Sequence, residues 1–278
     1  MNTFFTFLFD IKRHSVPDMI RVLNSLVKSF DYFNNNYELI VYTNVEIPLQ
    51  HPRVKIVQYD LNAVEYIYCD PWRNISFHKL IVAGKLLETG ISPIWIDLDT
   101  IICRNVDHLI MYPNLFVMHG SNDTTQNHIV GSCYIETRNY IQGNIWKVTS
   151  DLLKRLMYIW DNMWEKPLYD SQALFNYAYH FKDMNSEMKI LGKDYDIDTI
   201  NGLEICTDKD VIVSPVINLL ADELCMQNNK IISTRLNKEI QFFSFTFFTL
   251  VNFLDYNHFA RFKDPAIVEF FKSCGYAL

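Results

Sequence analysis

Residues 94–100 read IWIDLDT, three apolar side chains leading into two aspartates separated by one leucine. Carboxylates seldom stand in an apolar run unless a positive partner meets them. Read as a buried strand, the stretch puts Asp97 and Asp99 on one face, because residues two apart in a strand point to the same side, about 6.6–7 Å apart. At the carboxyl end of such a strand, that face opens on the crevice where α/β sheets bind ligands. Neighbouring carboxylates repel, and each raises the cost of ionising the other. A divalent cation removes that penalty, and Mg2+ and Mn2+ favour oxygen ligands while leaving room for phosphate oxygens. The expected positive partner is therefore a metal ion carrying a diphosphate. Taken alone, the tripeptide also suits two acids that cap loops or pair with arginines.

The flanking sequence supplies the α/β setting. Thr3 to Phe9 is aromatic-rich and strand-like, and DIKRHSVP then turns the chain. Pro17 suits a first helical turn with Ser15 as cap candidate, and Met19, Ile20, Leu23, Leu26, Val27 and Phe30 recur at helical spacing over 17–33. ELIVYT at 38–43 and VKIVQY at 54–59 read as strands. DPWRN at 70–74 breaks the chain before a helix carrying Phe77, Leu80, Ile81, Gly84 and Leu87, with Gly90 as its stop. After the acidic strand come a short helix in NVDHLI, a strand in LFVMHG and a single strand in IVGSCYIET. Residues 145–164 read as helix, and Asp170 caps another that bears Ala173, Leu174, Tyr177 and Ala178. Beyond about 185 the pattern weakens to short strands and loops (KDYDIDTIN, DVIVSP, KIIST), and DPAIVEFFKSCGY closes the chain as a Pro-initiated helix. No repeat or Gly/Ser linker interrupts it. The expectation is one domain over 1–278, with a nucleotide-binding part at about 1–110 and an acceptor-side, closing part at about 111–278.

Composition narrows the function classes. The 278 residues are 49% apolar and 15% aromatic, ample for a buried core. The net charge of -7 argues against a general nucleic-acid binder. Six cysteines form no C-x-x-C pair and read as free thiols of a reducing compartment. The first residues lack the basic segment of a signal peptide. The most apolar stretch, Phe242 to Leu254, has 13 residues and is too short to span a bilayer. A cytoplasmic protein is expected, with peripheral membrane contact left open and oligomeric state undetermined.

Three stretches carry a resemblance: FHKLIVAGKLLETGISPIWIDLDTII, VGSCYIETRN and YDSQALFN. With FLFDIKRH at the start, they resemble, in order over roughly 3–180, the GT-A glycosyltransferases, which use nucleotide-sugar donors and a D-x-D metal motif. The family-8-like retaining enzymes are the most similar. The resemblance implies a single GT-A (Rossmann-like, nucleotide-diphospho-sugar transferase) α/β domain with a central mixed sheet flanked by helices. It also implies a donor, UDP-linked in that class, a glycan or other hydroxyl-bearing acceptor, and Mn2+ or Mg2+.

Carried over residue by residue, Asp99 ligates the metal, while Asp97 binds it through water or holds the ribose. Lys79 contacts donor phosphate or sugar. Phe7, Asp10 and Arg13 belong to the nucleotide-binding opening, and Gly131 and Ser132 line the sugar pocket. Asp170 and Gln172 flank the anomeric carbon or bind sugar hydroxyls. The DSQ order departs from the usual Asp directly before Gln, which leaves open which side chain points inward. NHFARFKDP offers His258 as third metal ligand and Lys263 for phosphate, at unusual spacing and without the usual glycine.

The implied chemistry breaks a sugar–phosphate bond with oxocarbenium character while charge grows on the leaving diphosphate. Retention needs no obvious carboxylate base at the acceptor, and Gln172 agrees with it. Two alternatives stand beside this reading. One is an aspartyl-phosphate-type phosphohydrolase with Asp97 as nucleophile, although position 101 is Ile rather than its usual Thr or Val. The other is a non-catalytic sugar-binding relative. Asp194, Asp196 and Asp198 read as an exposed face.

Overall fold

The computed structural model describes residues 1–12, 14–61, 71–118, 127–130, 133–136, 141–162, 170–191, 199–201, 224–234, 238–244 and 262–276. The chain opens with β1 (Asn2–Leu8), α1 (Val16–Tyr32), β2 (Tyr37–Thr43) and β3 (Val54–Gln58), each within about a residue of its sequence expectation. Pro17 stands in the first turn of α1, but Ser15 holds the cap position without a side-chain bond. Its carbonyl accepts the Met19 N–H instead. Next come α2 (Pro71–Glu88) and β4 (Pro93–Ile96). DPWRN does not precede α2 as a break. Pro71 is the first helical residue, a position where its missing N–H costs nothing.

Strand β4 ends at Ile96, earlier than expected. The Thr100 N–H donates to the Asp97 carbonyl (3.2 Å), closing a turn over Asp97–Thr100. The chain then leaves the main sheet as β5 (Thr100–Ile102). The two aspartates therefore do not extend one strand face: Asp97 closes β4, and Asp99 lies within the turn to the next sheet.

After a 3-10 turn at Asp107–Met111 come β6 (Leu115–Met118), β7 (Asn127–Val130), β8 (Cys133–Glu136), β9 (Ile141–Lys147), α3 (Ser150–Asn162), α4 (Ser171–Phe181) and β10 (Ile190–Leu191). IVGSCYIET is not one strand, because β7 and β8 pair antiparallel from Asn127↔Glu136 to Val130↔Cys133. Nor is 145–164 all helix. Its first residues belong to β9, which fills the gap between β4 and β6, with Trp146 against Trp95 (ring centroids 6.3 Å). Tertiary pairing overrides a helical reading there. The chain ends with β11 (Thr199–Asn201), β12 (Leu224–Gln227), β13 (Lys230–Ser233), β14 (Lys238–Glu239), β15 (Phe242–Ser244) and α5 (Pro265–Ser273), the last capped by Asp264.

The main sheet has seven strands in the order β10-β6-β9-β4-β1-β2-β3. Strands β3, β2, β1 and β4 are parallel, whereas β9 runs antiparallel to both β4 and β6. Adjacent residues of one strand serve opposite cores. Phe4, Leu39, Val41, Ile94 and Ile96 pack with α1 and α5. Phe5, Ile40, Trp95, Phe116 and Trp146 pack with α2, α3 and α4. This is the continuous apolar pattern of a sheet covered on both faces. A mixed sheet flanked by helices was the expected architecture. A three-stranded sheet, β11-β15-β5, receives the chain from the Asp97–Thr100 turn, and β12, β13 and β14 form an antiparallel meander. Among the described residues no helix is long and apolar enough to cross a membrane.

Two features of the main sheet set the surroundings of the β4 carboxyl end. Chain order reverses at β1, which has β2 on one side and β4 on the other, so the carboxyl ends of β1 and β4 flank a topological switch point. The β6–β9 register also jumps, from Phe116↔Trp146 to Val117↔Gln142, leaving Gly143, Asn144 and Ile145 outside that pairing. On its other edge β9 stays in step with β4: Ile145 pairs with Ile96, and the Asn144 carbonyl accepts the Asp97 N–H at 2.7 Å.

Asn176 of α4, fully buried, anchors the start of β9. Its Oδ1 accepts the Ile141 N–H (2.8 Å), and its Nδ2 donates to the carbonyls of Ile141 (2.7 Å) and Gln172 (2.9 Å). Truncation would orphan both polar groups of Ile141. Asn176→Ala should cost about 2–4 kcal/mol in urea unfolding. A loss under about 0.5 kcal/mol, the range of ordinary surface changes, would show that the anchor is dispensable.

Candidate active site

The site forms where the carboxyl end of β4 meets α2 and the start of α4. Trp95 of β4 and Asp97, just past its end, turn to the same side, where the Trp95 indole N–H reaches the Asp97 carboxylate. There Asp97 Oδ1 accepts two hydrogen bonds, one from Lys79 Nζ of α2 (2.9 Å) and one from Trp95 Nε1 (2.9 Å). Lys79 also lies over the Trp95 ring, 4.3 Å from its centroid. The Lys79 side chain is only 9% exposed, against 30% for Asp97. A nearly buried ammonium is thus held by one carboxylate and one aromatic face, both favourable to a cation.

Asp170 is the third charged member. It caps α4, its Oδ1 accepting the Ala173 N–H at 2.7 Å. The residue keeps some solvent-facing surface, yet protein surrounds its carboxyl. Burial is the largest influence and raises its pKa above the ordinary 3.8. The Ala173 N–H and the Lys79 charge oppose this, and the Asp97 charge adds to it. With one lysine facing two aspartates, the cluster carries a net negative charge once all three are ionised.

The break in the β6–β9 register supplies the link to α4. The Gly143 N–H, freed from pairing with β6, donates to Gln172 Oε1 at 2.8 Å. A Cβ on residue 143 would lie 3.0 Å from the Gln172 Cβ, so a larger residue there would push α4 a few tenths of an ångström from β9. Bulges of this kind recur beside functional sites because they re-aim backbone groups.

Four expected site residues therefore meet here: Lys79, Asp97, Asp170 and Gln172. Others lie elsewhere. Phe7 is 8% exposed, its ring packed against Phe9 (4.9 Å) and Trp95 (5.1 Å), so it supports the site from the core rather than facing a donor. Asp10 follows β1 at the neighbouring strand end. Its N–H donates to Asn44 Oδ1 (2.8 Å), and its carboxylate accepts from the Lys12 N–H (3.0 Å) and Nζ (2.7 Å). The Lys12 side-chain bond is the main cause lowering its pKa. Lys12 adopts a left-handed backbone, φ 64°, uncommon for a residue with a side chain. Lys263 is exposed, next to the Asp264 cap of α5. Arg13, Gly131, Ser132 and His258 lie outside the described residues, as do Asp194, Asp196 and Asp198.

Trp95, Gly143 and Asn144 were not anticipated as site residues. The glycine of QGNIWK marks a bulge only once that run is known to be strand, and the helical reading of 145–164 hides it.

The donor set bears on a metal. Among the described residues no group of three or more His, Cys, Asp or Glu side chains gathers to hold one. Mg2+ and Mn2+ nevertheless often rest on one or two carboxylates and complete their shells with water and phosphate. Asp97 Oδ1 is engaged by Lys79 and Trp95, whereas Asp99 has interactions of its own and lies within electrostatic reach of the buried Tyr276. An ion at this pair would rest on the second Asp97 oxygen and on Asp99. An all-protein cage is not what the described residues offer.

No family model matches the sequence, and no curated protein matches it. Structural comparison finds the apo structure of WbbM, a bifunctional glycosyltransferase, with a TM-score of 0.55 and 12% identity. The alignment covers 98% of this chain and 51% of that one, so the chain spans about half the length of WbbM. The likeness extends to the fold: the chain has the Rossmann-like α/β architecture of a glycosyltransferase.

Asp170 yields a test with a definite sign. Its raised pKa means that the folded protein holds the proton more tightly than the unfolded chain does. The associated stability is fully present below about pH 3.8 and is lost as pH rises through the raised value. At neutral pH the buried charge is a cost. Asp170→Asn keeps a cap oxygen and removes that charge, so it should raise the neutral-pH Tm by about 1–3 °C, with the gain fading towards pH 4. A fall in Tm at neutral pH, seen by calorimetry, would contradict this electrostatic account.

Proposed function

We propose that the chain is a glycosyltransferase that moves a sugar from a nucleotide-sugar, UDP-linked, to a glycan or other hydroxyl acceptor, with retention at the anomeric carbon. The observation that carries this reading is the Lys79–Asp97–Asp170 cluster at the switch point of a glycosyltransferase-type sheet. Such a crevice suits a nucleotide, and a cation at its floor suits the charge that grows on a leaving diphosphate. Lys79 is the residue given that role. Its stem is buried and its ammonium already oriented, so little reorganisation is needed as charge develops.

Asp170 and Gln172 are assigned to the sugar. The Gln172 carbonyl oxygen is committed to Gly143, which leaves its amide N–H groups to donate to hydroxyls. The Asp170 carboxylate, partly balanced by Lys79, suits positive character at the anomeric carbon. Asp99 and the outer oxygen of Asp97 would hold Mn2+ or Mg2+, with His258 as candidate third ligand. The ion would neutralise the diphosphate. The fold likeness favours transfer over the aspartyl-phosphate alternative.

Thermal unfolding with UDP and Mn2+ tests the reading. The pair should raise Tm together by several degrees, since a ligand at about 100 times its Kd adds about 2.7 kcal/mol. Slow metal-dependent hydrolysis of a nucleotide-sugar should accompany the shift. Asp99→Asn should fold normally and lose both. Absence of protection by UDP, GDP or their sugars with either metal would refute the proposal. Protection without turnover would favour the sugar-binding alternative.

A further inference from the structure

One step beyond the last β4–β9 pair, Ile96↔Ile145, Asn144 lies across from Asp97, its carbonyl accepting the Asp97 N–H at 2.7 Å. Opposed residues of an antiparallel pair send their side chains to the same face. The Asn144 amide therefore faces the side of the sheet that carries Trp95, Asp97 and Lys79, one residue from the Gly143–Gln172 contact. It is 3% exposed, yet neither Oδ1 nor Nδ2 has a hydrogen-bond partner. The Trp146 Nε1, two residues along the strand, is also buried without an acceptor. Buried amides are nearly always satisfied, because an unmet donor or acceptor costs free energy that an apolar side chain of the same shape would not. Asn144 has a donor and an acceptor both unmet, beside the cluster assigned to the reaction.

We infer that Asn144 is a specificity-determining residue of this site, reading a hydroxyl of the transferred sugar through its amide. The inference rests on the transferase reading and names the part of the donor that its floor recognises. A hydroxyl donates and accepts at once, so a single one satisfies Nδ2–H and Oδ1 together, or two adjacent ones satisfy one each. A phosphate or a metal ion could meet only one of the two atoms. The amide is covered when no ligand is bound. Engaging it requires a small local opening beside β9, whose neighbouring Gly143 rests against Gln172 in the first turn of α4.

The test compares wild type, Asn144→Leu and Asn144→Asp. Each is assayed for Mn2+-dependent hydrolysis of two epimer pairs, UDP-glucose with UDP-galactose and GDP-glucose with GDP-mannose, and for Tm without and with each sugar. Leucine keeps the bulk and removes the unmet groups, so the ligand-free Tm should stay level or rise. KM for the preferred donor should rise about tenfold, the worth of one to two hydrogen bonds, and the preference between epimers should contract. A merely structural asparagine would instead lower Tm and leave the ranking of sugars intact. A folded leucine variant that melts several degrees lower, or one that keeps wild-type KM and epimer ranking, overturns the inference and leaves the transferase reading standing. If the leucine variant does not fold, Asn144→Asp decides, since it retains the shape and loses the donor: an unchanged KM overturns the inference. Wild type that neither binds nor hydrolyses any of the four sugars overturns both readings.

Discussion

The ion pair between Lys79 and Asp97 ties helix α2 to the carboxyl end of the central strand β4. An ammonium nearly sealed from water is costly unless it is paired, and here a carboxylate at 2.9 Å and the face of Trp95 at 4.3 Å both hold it. That requirement fixes helix α2 against the end of β4. It also places a positive charge under the switch point of the sheet. Breaking the pair would strand a charge inside the protein, so the site and the fold depend on the same contact.

The remaining site geometry comes from how β9 meets its two neighbours. Against β4 it keeps register and brings Trp146 onto Trp95 and Asn144 across from Asp97. Against β6 it loses register for three residues, Gly143, Asn144 and Ile145. The freed Gly143 N–H takes Gln172, and Asn176 ties Ile141 to the first turn of α4. A regular strand would have spent those backbone groups on β6 and left α4 without this anchorage. The bulge thereby delivers Asp170 to the electrostatic reach of Lys79 and Asp97.

Much of the fold was legible from periodicity. The aromatic-rich run of β1, the helical spacing of α1, the apolar runs of β2 and β4 and the capped helices α4 and α5 appear where short-range pattern indicates them. The readings that failed were those set by partners distant in sequence. Residues 145–147 looked helical and became strand because a slot between β4 and β6 had to be filled. Residues 97–100 looked like continued strand and became a turn because the chain departs there to pair with β15. Pro71 reads equally well as a breaker or as a first helical residue, and only the packing of α2 separates the two.

From the sequence alone came the α/β order and the acidic motif at a strand end, since residue type and local spacing carry that information, while Lys79, Asp170 and Gln172 entered as companions only through the family resemblance. Only the tertiary structure decided that the partner of Asp97 is Lys79, that Asp99 belongs to a turn between sheets, and that Asn144 is buried beside Asp97 with its amide unmet. The physical reason is that a buried charge or amide is defined by what surrounds it. Those surroundings come from strands and helices brought together across tens of residues, a register that no local pattern records.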